Sequence, residues 1–195
     1  MKAYNRMKNA AEDFIDNIEK KLYLSIQEKT NSVKFKLDKV LKAFSDANLN
    51  VQHFSSLTGY GHGDLGRDTI DKIFADVLEA EKAAVRVQLV SGTHAIASSL
   101  FGILRPGDNF LSIAGRPYES LEEVIGLRGS GQGSLIDFGI SYDEISLKND
   151  GDIDFLALEK ALQISRKLIF IQRSCGYTWR PSLSIEVIKE ICQLC

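Results

Sequence analysis

Residues 167–172 read KLIFIQ, with four consecutive apolar side chains at positions 168–171. A short apolar run of this kind, bounded by polar sequence, is typical of a strand that is buried on both faces. Such strands belong to parallel sheets that are covered by helices on either side. The stretch therefore predicts a buried strand in an α/β fold.

The sequence on both sides of this strand alternates between helical and strand-like patterns. The apolar spacing predicts helices at about 67–81, 93–104, 118–127, 154–164 and 184–195. Strands are predicted at 85–90, 110–113 and 142–147. Strands and helices that alternate with short loops predict an α/β fold, with a largely parallel sheet and flanking helices.

The chain divides into two segments of different character. Residues 1–57 carry helical spacing and contain no proline or glycine, so we expect an N-terminal helical arm there. Residues 58–195 carry the alternating pattern and predict the N-terminal part of an α/β domain. The last predicted helix has no strand after it, whereas a parallel sheet needs a crossover that returns to the sheet. We therefore expect this domain to be truncated.

The composition argues against several classes of function. A net charge of −2 supplies no basic field for nucleic acid or an anionic membrane surface. The sequence contains no run of about 18 apolar residues, so no transmembrane helix is expected. The three cysteines form neither a disulfide framework nor a complete metal-ligand set, which predicts reduced thiols in a cytoplasmic protein and no metal site.

The stretch VQLVSGTHAI at residues 87–96 predicts a strand, a tight turn and the start of a helix. Free backbone N–H groups and the positive end of the helix dipole then point to one place, which makes an anion site. Gly92 would let a ligand approach the backbone, and Ser91 and Thr93 carry hydroxyl groups. The alternative interpretation is a plain helix cap, with Ser91 bonded to the first turn.

A glycine-rich stretch at residues 60–66, YGHGDLG, formally matches the G-x-G-x-x-G pattern of dinucleotide-binding proteins. That fingerprint requires a buried strand before it, and residues 53–58 are a poor buried strand. A ligand-facing loop, or glycines without any ligand, are the other interpretations. The formal match still leaves a nucleotide-binding oxidoreductase domain as one alternative function. A non-catalytic interaction module, which would have no small-ligand site, is another.

Two further loops follow predicted strands, where ligands of parallel sheets bind. Tyr118 follows the strand at 110–113 and is placed to cover a planar ligand, although it could equally be a core or rim tyrosine. Arg173 and Arg180 follow the strand at 167–172, and their guanidinium groups suit a carboxylate or a phosphate. The alternative for this second loop is an ordinary surface loop.

Five of these stretches, taken in order and spacing, resemble the aluminium-resistance and methionine gamma-lyase-related family of pyridoxal-phosphate (PLP) proteins. They are TGYGHGDLGRD at 58–68, VSGTHAI at 90–96, LRPGD at 104–108, GRPYESLEEVIG at 115–126 and IQRSCGYTWRPSL at 171–183. Together they span most of residues 58–190. The helical arm matches more loosely.

The resemblance implies the aspartate-aminotransferase-like fold, fold type I, with PLP as the cofactor. In such folds the turn at Ser91, Gly92 and Thr93 holds the PLP phosphate. Tyr118 stacks on the pyridine ring, and Tyr60 reaches the phosphate that is bound in the partner subunit. The implied reaction is a carbon–sulfur elimination from a small sulfur-containing amino acid.

The resemblance also implies an oligomer and an unfinished site. Arg180, with Arg173 as second choice, would lie near the substrate carboxylate. The lysine that forms a Schiff base with PLP, and the aspartate on the pyridine nitrogen, are expected beyond Cys195. The full-length protein is then expected to be a homodimer or homotetramer, and this chain alone to be inactive.

Overall fold

The computed structural model describes residues 2–55 and 63–195, with side chains from residue 8 onward. These residues form two compact units, Met1–Val87 and Gln88–Cys195. The first unit is helical, and the second contains the sheet. The boundary at 57/58 that the sequence suggests between arm and domain stays a prediction.

The first unit contains α1 (Lys2–Asp46), a short 3-10 helix (Val51–Phe54) and α2 (Leu65–Leu78). One continuous helix thus covers residues 2–46 of the predicted arm. It ends where Asn48 adopts a left-handed conformation, with φ of 50°. The buried residues that the structure describes here are Ala43 of α1 and Ile73 and Ala75 of α2. Most apolar side chains of α1 are exposed, so only its C-terminal part packs against α2.

The strand predicted at residues 85–90 is wrong, because the backbone there forms no strand. The Asp71 side chain instead accepts hydrogen bonds from the Val85 N–H and the Arg86 Nη1, both at 2.7 Å. Val87 and Val90 are more than 80% exposed. An apolar run becomes a strand only beside a pairing partner, and none of the strands in the described part of the chain pairs with it.

The second unit alternates helices and strands, as the sequence predicts. Its elements are α3 (Gly92–Ile103), β1 (Asn109–Ser112), α4 (Glu119–Ile125), β2 (Ser141–Glu144), α5 (Phe155–Ala161), β3 (Leu168–Phe170) and α6 (Ile185–Leu194). Polar side chains begin three of these helices, because Ser91, Asp154 and Ser184 each accept a hydrogen bond from a backbone N–H of the first turn.

The three strands are parallel and lie in the order β2-β1-β3. β1 is central, and its Phe110, Leu111 and Ser112 are at most 1% exposed. β3 lies at an edge of the described sheet and is only partly buried. The sequence therefore predicts the strand and its parallel pairing correctly, but its expected burial on both faces is wrong.

Two apolar clusters cover the two faces of this sheet, because neighbouring residues of a strand point to opposite sides. Leu111 packs in a cluster with Leu158 of α5 and Ile191 of α6. Phe110 packs in the other cluster, which contains Leu100 of α3 and also two residues of α4. The second unit therefore has an α/β/α arrangement. No helix among the described residues has both the length and the apolar composition of a membrane span.

Candidate functional site

A cleft of about 680 Å³ opens in the second unit, where the chain leaves β1 and β3. One wall is residues 116–120, which follow β1. The other wall comes from the segment after β3. Together the lining residues are Arg116, Pro117, Tyr118, Glu119, Ser120, Gln172, Cys175, Gly176, Tyr177 and Thr178. The structure therefore brings Tyr118 and the loop after β3 to the same cleft.

Tyr118 is the aromatic residue that joins the two walls. Its backbone N–H donates to the Gln172 Oε1 at 3.1 Å. Gly176 lies against its ring, because a Cβ atom built on that glycine would be 2.9 Å from the Tyr118 Cε1. The side chain is partly buried and still lines the cleft. A planar ligand in the cleft could therefore contact a tyrosine that is held at its backbone and at its ring edge.

The start of α3 connects to this cleft through one hydrogen bond. The Thr93 Oγ1 donates to the Oγ of Ser120, a cleft residue, at 2.8 Å. The Ser91 Oγ accepts from the His94 N–H at 3.1 Å and so caps α3, a contact that leaves the Gly92 and Thr93 N–H groups to other partners. The N–H groups of Gly92 and Thr93, as the first two in the helix, need partners from outside it. No atom lies within 4 Å of a Cβ built on Gly92, so a ligand could approach there.

The two arginines of the post-β3 loop serve different roles in the structure. The Arg180 guanidinium donates to the Ser174 carbonyl at 2.9 Å and to the Pro181 carbonyl at 3.1 Å. It therefore ties its own loop together. Arg173 is exposed. Neither arginine lines the cleft as the structure describes it, so their predicted contact with a substrate stays a prediction.

Part of the glycine-rich stretch can be placed. Tyr60 lies outside the described residues, so its predicted role is untouched by the structure. Gly66 has a packing reason, because a Cβ atom there would be 2.8 Å from the His53 carbonyl oxygen. This close approach explains a glycine at position 66 without a bound nucleotide.

Two pairs of polar side chains lie near the carboxyl side of the sheet. The Arg116 Nε is 2.7 Å from the Glu122 Oε1, which balances the charge of the one arginine in the cleft lining. On β2, the Tyr142 hydroxyl donates to the Glu144 Oε2 at 2.6 Å. Burial, and then the Glu144 carboxylate, raise the pKa of Tyr142 well above its usual range, so the phenol stays protonated at neutral pH.

Sequence reasoning did not single out Ser120, Gln172 or Gly176, which make the contacts that shape this site. Ser120 and Gly176 lie within the stretches that carry the family resemblance, but their side-chain and backbone contacts depend on the fold. Gln172 was visible as the polar residue that ends an apolar run. That position, at the carboxyl end of a parallel strand, is the signal that could have identified it.

Comparison with known proteins identifies the family of the chain. The sequence profile of the family described as methionine gamma-lyase matches residues 11–195. The uncharacterized protein YnbB of Bacillus subtilis is 49% identical over 154 residues, which cover 78% of this chain and 37% of YnbB.

Solved structures agree with the sequence match. An aluminium-resistance protein of Listeria innocua has a TM-score of 0.85 and 48% identity, covering 92% of this chain and 44% of that one. A carbon–sulfur lyase involved in aluminium resistance from Clostridium novyi has a TM-score of 0.75, 40% identity and the same coverages. This chain therefore spans about two fifths of the length of these relatives. It belongs to the methionine gamma-lyase family.

Proposed function

We propose that this chain carries the phosphate-binding and ring-binding parts of a PLP site of fold type I. The observation that supports this most directly is the Thr93–Ser120 hydrogen bond, which brings the start of α3 to the cleft that holds Tyr118. The open space at Gly92 fits the approach of a phosphate. The partly buried Tyr118 fits a planar aromatic ring.

Each residue then has a physical task. The N–H groups of Gly92 and Thr93, at the positive end of the α3 dipole, would bind phosphate oxygens, with the Ser91 hydroxyl as a further donor. Tyr118 would stack on the ring and exclude water from one of its faces. Ser120 would orient the Thr93 hydroxyl. Tyr60 would reach the phosphate of a second subunit, in a homodimer or homotetramer.

For the full-length protein we propose a carbon–sulfur lyase reaction on a small sulfur-containing amino acid. The family match and the lyase named among the solved relatives support this reaction class. Bound PLP supplies an electron-accepting ring, which lowers the cost of removing the proton from the substrate α-carbon. Arg180, or Arg173 in its place, would bind the substrate carboxylate. Arg180 would first have to give up its bonds to the Ser174 and Pro181 carbonyls.

We further propose that the 195-residue chain alone has little or no lyase activity. None of the residues that line the cleft in the described part of the chain is a lysine, and the reaction needs one to hold PLP covalently. The chain would then bind PLP through its phosphate and ring only. Binding and catalysis are therefore tested separately.

The test is a fluorescence titration of the purified chain with PLP. Tyr118→Ala should raise the Kd roughly three- to tenfold, since aromatic stacking contributes about 0.5–1.5 kcal/mol. Tyr177→Ala is the matched control, because this tyrosine also lines the cleft but its side chain is fully exposed. Equal Kd values for both variants, or no PLP binding at all, would refute the proposed site. A full-length protein without PLP absorbance would refute the proposed reaction.

A further inference from the structure

We propose that Gln172 is a positioning residue that fixes the Tyr118 ring for stacking, by capping α4 from the segment that follows the neighbouring strand β3. This inference rests on the proposed PLP site. It adds a residue that has no role in that site so far, and it concerns how the ring is held rather than what the ring contacts.

The two residues belong to segments that the sheet brings together. Tyr118 precedes α4 after β1, and Gln172 follows β3. β1 and β3 pair directly, and the Ile113 N–H donates to the Phe170 carbonyl at 3.1 Å just before the chains diverge. The Tyr118 N–H then donates to the Gln172 Oε1 at 3.1 Å. This bond therefore connects the two walls of the cleft.

The bond replaces a local interaction that the sequence does not supply. At many helix starts, a Glu or Gln three residues into the helix reaches back and accepts from the N–H of the capping residue. Tyr118 is the capping residue of α4 and makes no side-chain cap bond. The residue three positions later is Leu121, which is 1% exposed and packs in the core. Gln172 supplies the missing acceptor from the segment that follows β3.

The same loop also limits the ring. Gly176 lies four residues after Gln172, and a Cβ atom there would be 2.9 Å from the Tyr118 Cε1 and 3.4 Å from its Cδ1. Tyr118 is thus fixed at its backbone by Gln172 and at its ring edge by Gly176. A tyrosine whose backbone and ring edge are both held in place loses little conformational freedom when its ring stacks on a ligand. Such preorganisation increases affinity.

An amide suits position 172 better than a carboxylate. The Gln172 Nε2 lies 3.5 Å from the Ser174 carbonyl oxygen, at the limit of a hydrogen bond. A carboxylate would keep the acceptor for Tyr118 but would place an oxygen beside that carbonyl. A leucine of similar size would remove the acceptor altogether. The order of function at this position should be glutamine, then glutamate, then leucine.

The first measurement is the hydrogen-exchange rate of the Tyr118 amide by NMR, in the chain without PLP. Gln172→Leu should speed this exchange roughly two- to tenfold, which is the effect of losing one ordinary hydrogen bond. Gln172→Glu should change it less. Gln163→Leu is the matched control, because Gln163 is exposed and bonds only within its own helical turn. An unchanged Tyr118 rate in Gln172→Leu would overturn the proposal, whether or not PLP binds.

The second measurement is the PLP Kd of the same variants. We expect Gln172→Leu to weaken binding severalfold, Gln172→Glu to restore part of it, and Gln163→Leu to have no effect. A faster Tyr118 amide with an unchanged Kd would overturn the positioning role, because the bond would then be purely structural. If the unaltered chain bound no PLP while its Tyr118 exchange still depended on Gln172, the proposed function itself would have failed, and the positioning role with it. Should Gln172→Leu not fold, Gln172→Ala, which also removes the acceptor, decides by the same two readouts.

Discussion

Replacing Gly176 by alanine should weaken PLP binding through a sub-ångström movement of Tyr118. The added Cβ atom would be 2.9 Å from the Tyr118 Cε1, whereas ordinary contacts begin at 3.4 Å, so the ring edge must move by about 0.5 Å or more. Gly176 also has a φ of +60°, and an alanine in this left-handed conformation costs roughly 1–2 kcal/mol. The variant therefore changes both the stability of the fold and the position of the ring.

Gly131→Ala separates these two effects. Gly131 has a φ of +71°, but nothing lies within 4 Å of a Cβ atom built on it. Both variants should lose roughly 1–2 kcal/mol of unfolding free energy from backbone strain, measured by urea denaturation. Only Gly176→Ala should raise the PLP Kd, by roughly two- to threefold, less than Tyr118→Ala does, because only part of the stacking energy is lost. Equal Kd values for the two variants would refute the reasoning, since strain alone would then explain every effect.

Three further changes test other parts of the structure. Thr93→Val removes the hydroxyl that donates to Ser120, so PLP affinity should fall severalfold in the same titration, while Thr93→Ser should retain it. Phe110→Ala empties a position that is 1% exposed and should cost about 3–5 kcal/mol of unfolding free energy in urea. The hydrogen bond from Arg86 lowers the pKa of Asp71, so its stabilisation is complete well above the ordinary aspartate pKa of about 3.9 and is lost as the pH falls through the lowered pKa. Asp71→Asn should therefore be less stable than the unaltered chain at pH 7. The urea midpoints of the two proteins should approach each other as the pH is lowered into the acid range.

The helices were predictable because each carries its own signals. Apolar spacing marks the face of α2 that packs, and capping serines and aspartates mark the starts of α3, α5 and α6. These signals are local, so they need no knowledge of the fold. The parallel pairing of β1 with β2 and β3 also followed, since strands joined through helices return in the same direction.

The errors concern properties that depend on distant neighbours. Residues 85–90 have the composition of a strand, but only a partner strand can satisfy an extended backbone, and composition does not reveal one. β3 is the most apolar run in the chain, yet the buried central strand is β1. The order of the strands in a sheet decides which strand is buried. The sequence predicted that the strands run parallel, but it did not predict their order.

The candidate site shows the same division between local and distant effects. Tyr118 and the turn at Ser91 could be named from sequence, because each follows a predicted strand or begins a predicted helix. The bond between Gln172 and Tyr118 could not, because it performs a capping task that is normally local with a residue 54 positions away. The sequence did show that a local acceptor was lacking, because the apolar Leu121 stands where a capping glutamate or glutamine would be expected.

The position of the cleft follows from the topology of the strands. α4 comes after β1 and packs on the sheet face of Phe110, whereas α6 comes after β3 and packs on the face of Leu111. Because β1 and β3 are neighbours in the sheet, their outgoing chains separate to opposite faces and leave a crevice at their carboxyl ends. Between β1 and β2 the outgoing chains also diverge, but there the Tyr142 hydroxyl and the Glu144 carboxylate are bonded to each other. The crevice beside β3 keeps Tyr118 on its wall, and this is why we place the ligand there.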